Sequence, residues 1–174
     1  RNYFRFFKYP YLFLSGLVMY LTTIALFNKG PLASFIFQPS VIFRADYMHA
    51  GWVMTIQHPF TGVGLDSFGD WYRSARGLIS TTRNNPDRVA NTAHNIFLDI
   101  SSNGGFPLLF AYLAIQAVVL FYALRILKYS KFPSPSVAVV LVWIVYQIQS
   151  LISINQIGVG IWGWMAVGFI VGQG

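Results

Sequence analysis

From Phe132 to the final Gly174 the chain carries no charged residue. Soluble domains average about 25% charged residues, and a domain folded in water has nothing with which to coat so long an uncharged stretch. A helical membrane crossing takes about 20 apolar residues, so this run is long enough for two. The turn Ser153-Ile154-Asn155-Gln156 divides it into spans near 137–152 and 157–171. The second is short and glycine-rich (Gly158, Gly160, Gly163, Gly168), which suits close helix packing. The rest of the chain agrees. Of its 174 residues, 55% are hydrophobic, 18% aromatic and only 10% charged. Those values exclude a disordered tail and an ordinary soluble enzyme. The absence of cysteine excludes a disulfide scaffold and a thiolate metal site.

Two further uncharged windows cover residues 11–27 and 107–124. Arg1, Arg5 and Lys8 flank the first, with an aromatic cluster around them. Arg125, Lys128 and Lys131 fall between the second window and the third. The positive-inside rule puts both basic groups in the cytoplasm, so the segment between them faces outward. That outer segment, residues 30–105, has five Arg and five Asp and no net charge, and it holds all three histidines. The net charge of +7 therefore sits almost wholly at the cytoplasmic membrane surface, which argues for lipid and against nucleic acid as partner. The expected fold is all-α: a polytopic membrane bundle of about four transmembrane helices with a large helical periplasmic loop. Its parts are a basic flank and first span (1–29), the loop with the candidate site (30–105), and three further spans (106–174). The chain starts at Arg1 rather than Met, and its last apolar run ends almost at the terminus. The expectation is a piece of a longer membrane protein.

Within the loop, helical spacing predicts a helix over 43–57, stopped by His58-Pro59. A turn follows at Thr61-Gly62-Val63-Gly64. A second helix runs to about Arg76, capped by Asp66 or Ser67 and stopped at Gly77. Residues 80–88 read as a polar loop. A third helix starts near Asn91 or Thr92 and ends at Gly104-Gly105, with His94 in its first turn.

Arginine is suited to phosphate, because its planar fork donates two parallel hydrogen bonds and keeps its proton. Arg73 and Arg76 are three apart on one helical face and can converge on a diphosphate. Spacing alone leaves two other roles open: Arg73 paired with Asp70, and Arg76 on lipid headgroups. Arg44 follows the apolar Val41-Ile42-Phe43, where a charge calls for a partner, and Asp46 is poorly placed to supply it. His94 at a helix mouth is kept neutral by the macrodipole, as a general base must be. Taken alone, a loop histidine is more often a capping or interfacial residue. His58 reads as a turn residue, and His49 fits either role. Gly62-x-Gly64 with Gly69 is a turn rather than a dinucleotide fingerprint. With no Glu or Cys and no histidine at ligand spacing from Asp66 and Asp70, no metal site is expected.

Several stretches resemble a known family: Arg44-Ala45-Asp46-Tyr47-Met48, His58-Pro59-Phe60-Thr61-Gly62-Val63-Gly64, Asp70-Trp71-Tyr72-Arg73, Ala93-His94-Asn95-Ile96-Phe97-Leu98 and Gly104-Gly105. Together they resemble the O-antigen ligase and polymerase family, bacterial polytopic membrane glycosyltransferases with a large periplasmic loop. The likeness runs from about Ser40 to Trp164. Two patterns carry it: an Arg followed four positions on by an apolar residue, usually Leu (Arg44 and Met48), and a His followed by ten residues and a Gly (His94 and Gly105).

The resemblance implies a GT-C-like fold in the bacterial inner membrane. It also implies a polyprenyl-diphosphate-linked glycan as donor, a lipid or glycan acceptor, and no cofactor. On it, Arg44, Arg73 and Arg76 hold the diphosphate and His94 is the catalytic base. Polysaccharide polymerase is the alternative within the class, and a small-anion, bicarbonate-like transporter the alternative outside it. Family members usually have about ten or more spans, against about four here. The piece is therefore expected to be inactive by itself, because further spans would supply more arginines and the lipid groove.

Overall fold

The computed structural model describes residues 3–82, 87–132, 134–154 and 156–173, with side chains from Phe7 onward. Arg1, residues 83–86 of the polar loop and Asn155 lie outside the described residues, as does the side chain of Arg5. The described residues form helices and no strand: α1 (Tyr3–Leu26), α2 (Ala33–Ile36), α3 (Pro39–Gln57), α4 (Phe68–Ala75), α5 (Leu78–Thr81), α6 (Ile96–Tyr129), α7 (Pro135–Ser150) and α8 (Ile157–Gly172). The chain divides into two compact units, Arg1–Ala45 and Asp46–Gly174.

In the first unit, α1 carries no charge after Lys8 and is almost wholly uncovered, Phe13 being 73% exposed. Such a helix is stable where lipid replaces water. It ends in a turn with Asn28 and Gly30 at positive φ, and the short α2 packs back against it.

The second unit has two cores. In the loop core, α3 presents Tyr47, Ala50, Gly51, Met54 and Thr55, a helical stripe, to Phe68, Tyr72 and Ala75 of α4 and to Ala90 and Ala93. A buried hydrogen bond of 2.9 Å joins the hydroxyls of Thr55 and Ser101, tying α3 to α6. In the second core, Val119, Ala123 and Ile126 of α6 meet Val140 and Trp143 of α7 and Ala166 and Ile170 of α8. Gln116 Oε1 accepts hydrogen bonds from Trp143 Nε1 (3.3 Å) and Gln147 Nε2 (2.8 Å), a polar cross-link between α6 and α7. The glycines of α8 divide by face. Gly160 and Gly163 are buried, the latter under the Tyr146 ring, whereas Gly158 and Gly168 adjoin open space.

The ends of these helices define their directions. Asn95 Nδ2, just before α6, donates to the carbonyl of Leu151, just after α7 (3.0 Å). The Ser136 hydroxyl near the start of α7 bonds Gln173 Oε1 at the end of α8 (3.3 Å). α7 therefore runs antiparallel to both α6 and α8, and α6 and α8 run in the same direction.

α6 is broken at Gly105, whose φ of 69° and ψ of −174° are not helical. The turn after α3 fills the break. Pro59 O accepts from Phe106 N (2.7 Å), and Val63 N donates to Ser102 O (2.7 Å). A Cβ on Gly105 would lie 2.6 Å from Pro59 O, and one on Gly62 would lie 2.3 Å from the Asn103 backbone, so both positions require glycine. Residues 96–104 form a loop-side arm bearing Asp99, Ser101, Ser102 and Asn103. Residues 106–124, with no charge, form the arm suited to lipid.

By length and apolar character α1, from Phe7, and α6 can cross a membrane. α7 and α8 have 16 residues each, about 24 Å of helix against a hydrocarbon core of about 30 Å. Three loop expectations are corrected. The first loop helix starts at Pro39, well before residue 43, since proline suits the first helical position. The third starts at Ile96, so His94 is outside it. The first two residues of the expected polar loop, Ser80 and Thr81, belong to the helical turn α5.

Candidate active site

The position of His94 is set by its neighbours on both sides. Asn95 is the N-cap of α6, its Oδ1 accepting from Phe97 N (3.0 Å) and Leu98 N (3.2 Å). On the other side, Ala93 N donates to Asp99 Oδ1 (2.5 Å). Held between these bonds, His94 adopts a left-handed φ of 57°, a conformation that non-glycine residues rarely take. Burial pushes the Asp99 carboxyl up to about 6, while the Ala93 hydrogen bond opposes the shift. Asp99 lies on the loop side of the Gly105 break.

The half-buried imidazole lies against Tyr47 of α3, ring centroids 5.1 Å apart and planes tilted by 31°. Tyr47 in turn meets Tyr72 of α4 edge-on at 5.7 Å. Burial raises the Tyr72 phenol above its usual range. A hydrogen bond with Ser80 and the nearby Arg76 guanidinium pull it down, and Tyr47 and Asp46 push it up. A contiguous path of rings therefore leads from His94 to the C-terminal end of α4, where Arg76 stands.

Arg73 and Arg76 do not share a helical face. α4 ends at Ala75, and Arg76 is the C-cap with extended backbone (φ −69°, ψ 145°). Arg73 projects into solvent, whereas Arg76 is half-buried beside Tyr72. Among the described residues no ion pair joins Arg73 to Asp70. Arg44 is exposed on α3 and belongs to the first compact unit. His58 is a turn residue packed edge-on against Trp71 at 4.9 Å, and His49 is exposed beside Gly77.

Sequence reasoning gave no role to Tyr47, Tyr72, Asn95 or Asp99. Asn95 was open to it, as an asparagine directly before an apolar helical run is an N-cap signal. The other three take their places from packing between elements distant in sequence.

Two of the described helices, α1 from Phe7 and α6, have the length and apolar character of membrane spans. A family model described as O-antigen ligase matches residues 2–113, which include all four proposed site residues. The chain belongs to the O-antigen ligase family, and with that to membrane enzymes of glycosyltransferase type that work on lipid-linked glycans. No curated protein and no solved structure gives a significant match.

Proposed function

We propose that this chain carries the extracytoplasmic active-site face of a ligase-like glycosyltransferase, which moves a glycan from a polyprenyl diphosphate to an acceptor hydroxyl. The observation that carries this is the run of rings joining His94 to Tyr47 and Tyr72, which ends at Arg76. A proton acceptor and a cation stand at the two ends of one small aromatic cluster, inside the matched region of a glycan-transfer family.

The reaction needs those two groups. The acceptor hydroxyl is a poor nucleophile, and the His94 imidazole takes its proton as the oxygen attacks the anomeric carbon. The bond from that carbon to the diphosphate oxygen breaks, and the sugar configuration inverts. The electron pair stays on the diphosphate, where Arg76 offsets the growing charge; Arg73 and Arg44 are assigned to the same group by the family resemblance alone. The imidazolium then releases its proton to water. A polyprenyl chain is confined to lipid, so the site has to sit at the membrane surface.

On this reading residues 30–105 form the outer loop of an inner-membrane protein with four crossings: α1, α6, α7 and α8. Support for the short α7 and α8 comes from their end-to-end order: the end of α7 meets the start of α6, and the end of α8 meets the start of α7.

The test is complementation of a strain that lacks its own ligase, using the protein that contains this chain. His94→Ala is expected to lower transfer about a hundredfold or more, and Arg76→Ala and Arg44→Ala to raise the donor concentration required. Normal transfer by both His94→Ala and Arg44→Ala, with normal insertion, would overturn the assignment. Product glycan joined to a lipid acceptor identifies a ligase; lengthened polyprenyl-linked glycan identifies a polymerase.

A further inference from the structure

A cavity of about 260 Å³ opens between the approach to α4, the segment before His94 and the loop-side arm of α6. Its polar walls are Asp66, Asn91, Thr92, Asp99 and Asn103, with aliphatic side chains such as Ile96 between them. Among the described residues no cation lines it.

These walls are held in place. Asp66 has a left-handed backbone, φ 58°. Asn91 packs on Gly69 so closely that a Cβ there would lie 2.7 Å from its Oδ1. Asn103 Nδ2 donates to Asp99 O (2.7 Å), yet the Asn103 Oδ1 is buried with no hydrogen-bond partner.

We propose that this cavity seats the uncharged sugar ring that bears the acceptor hydroxyl. The inference rests on the glycosyl-transfer reading above and adds where the acceptor binds. Carboxylates and amides accept hydrogen bonds from sugar hydroxyls, the charged ones more strongly, and the aliphatic walls cover the C–H faces of a ring. Two carboxylates repel a diphosphate, so the donor's head group does not belong here. Thr92 and Ile96 lie two residues to either side of His94, which puts the occupant beside the turn that carries the base.

The experiment uses the full protein in lipid nanodiscs. Asp66→Asn and Asn91→Ala are each expected to raise the acceptor KM about three- to tenfold, the worth of one hydrogen bond, without changing kcat or the donor KM. An unchanged acceptor KM, or a rise in the donor KM instead, overturns the proposal. Binding is read independently by saturation-transfer NMR with methyl glycosides of glucose, galactose, mannose and N-acetylglucosamine. At least one should give a signal with wild type and His94→Ala and a clearly weaker one with Asp66→Asn. No signal from any glycoside with wild type sinks the cavity assignment. Retained glycan transfer in His94→Ala, with the sugar signal intact, sinks the catalytic reading and leaves the cavity standing.

Discussion

At the scale of single residues, the turn around His94 is built by two side chains with different duties. Asn95 caps α6 and also reaches Leu151, while Asp99 closes the turn from behind through Ala93 N. Asp99 makes this turn sensitive to pH. Its folded pKa of about 6 lies above the ordinary 3.8, so between those values the folded state binds more protons than the unfolded one. Stability therefore falls as pH rises from about 4 through 6, and the contribution is fully present only below 4. Asp99→Asn keeps an acceptor for Ala93 N and does not titrate. Its melting temperature should lack that downward component, whereas wild type should show it in a pH series. Equal pH slopes for the two would mean that burial does not raise the Asp99 carboxyl. His94 itself illustrates how far sequence reaches. Its nearness to a helix start follows from the apolar run after it, but its place outside the helix depends on the cap at Asn95 and a left-handed backbone.

Among the elements, α6 matters most, since one helix contributes both to the core around α3 and α4 and to the core shared with α7 and α8. The two arms meet at Gly105, where the Pro59 carbonyl takes over the Phe106 N–H released by the break. Gly105→Ala should therefore cost about 1–2 kcal/mol for the left-handed backbone alone, with the contact to Pro59 O adding to it. Gly158→Ala on α8 meets nothing within 4 Å and should be neutral or slightly stabilising, as alanine is the better helix former. Thermal unfolding in nanodiscs would compare them; equal melting temperatures would contradict the account of the break. The His94-to-Gly105 spacing, a bare pattern in the sequence, thus gains a physical cause: it is the length of the loop-side arm of α6 plus its cap. The Arg73 and Arg76 spacing shows the opposite outcome. Three-residue separation implies a shared face only while the helix continues, and α4 stops one residue before Arg76.

For the molecule as a whole, orientation can be read by labelling, because the chain has no cysteine of its own. Thr82→Cys and Ile152→Cys should react with a membrane-impermeant maleimide in intact spheroplasts. Tyr129→Cys and Gln173→Cys should react only after permeabilisation. The reverse pattern would invert the topology, and labelling of Gln173→Cys from outside would remove one crossing. The sequence by itself determined that the chain is helical, built for lipid, and gathers its histidines and most of its arginines in one loop. Those properties follow from the order of charged and apolar residues, which needs no partner in space to be read. Tertiary structure alone decided that the rings of Tyr47, Tyr72 and His94 touch, that Arg76 turns inward while Arg73 faces water, and that Asp99 is buried behind the turn. Each depends on α3, α4 and α6 packing around one apolar core, and contacts between elements so far apart along the chain leave no periodicity in it.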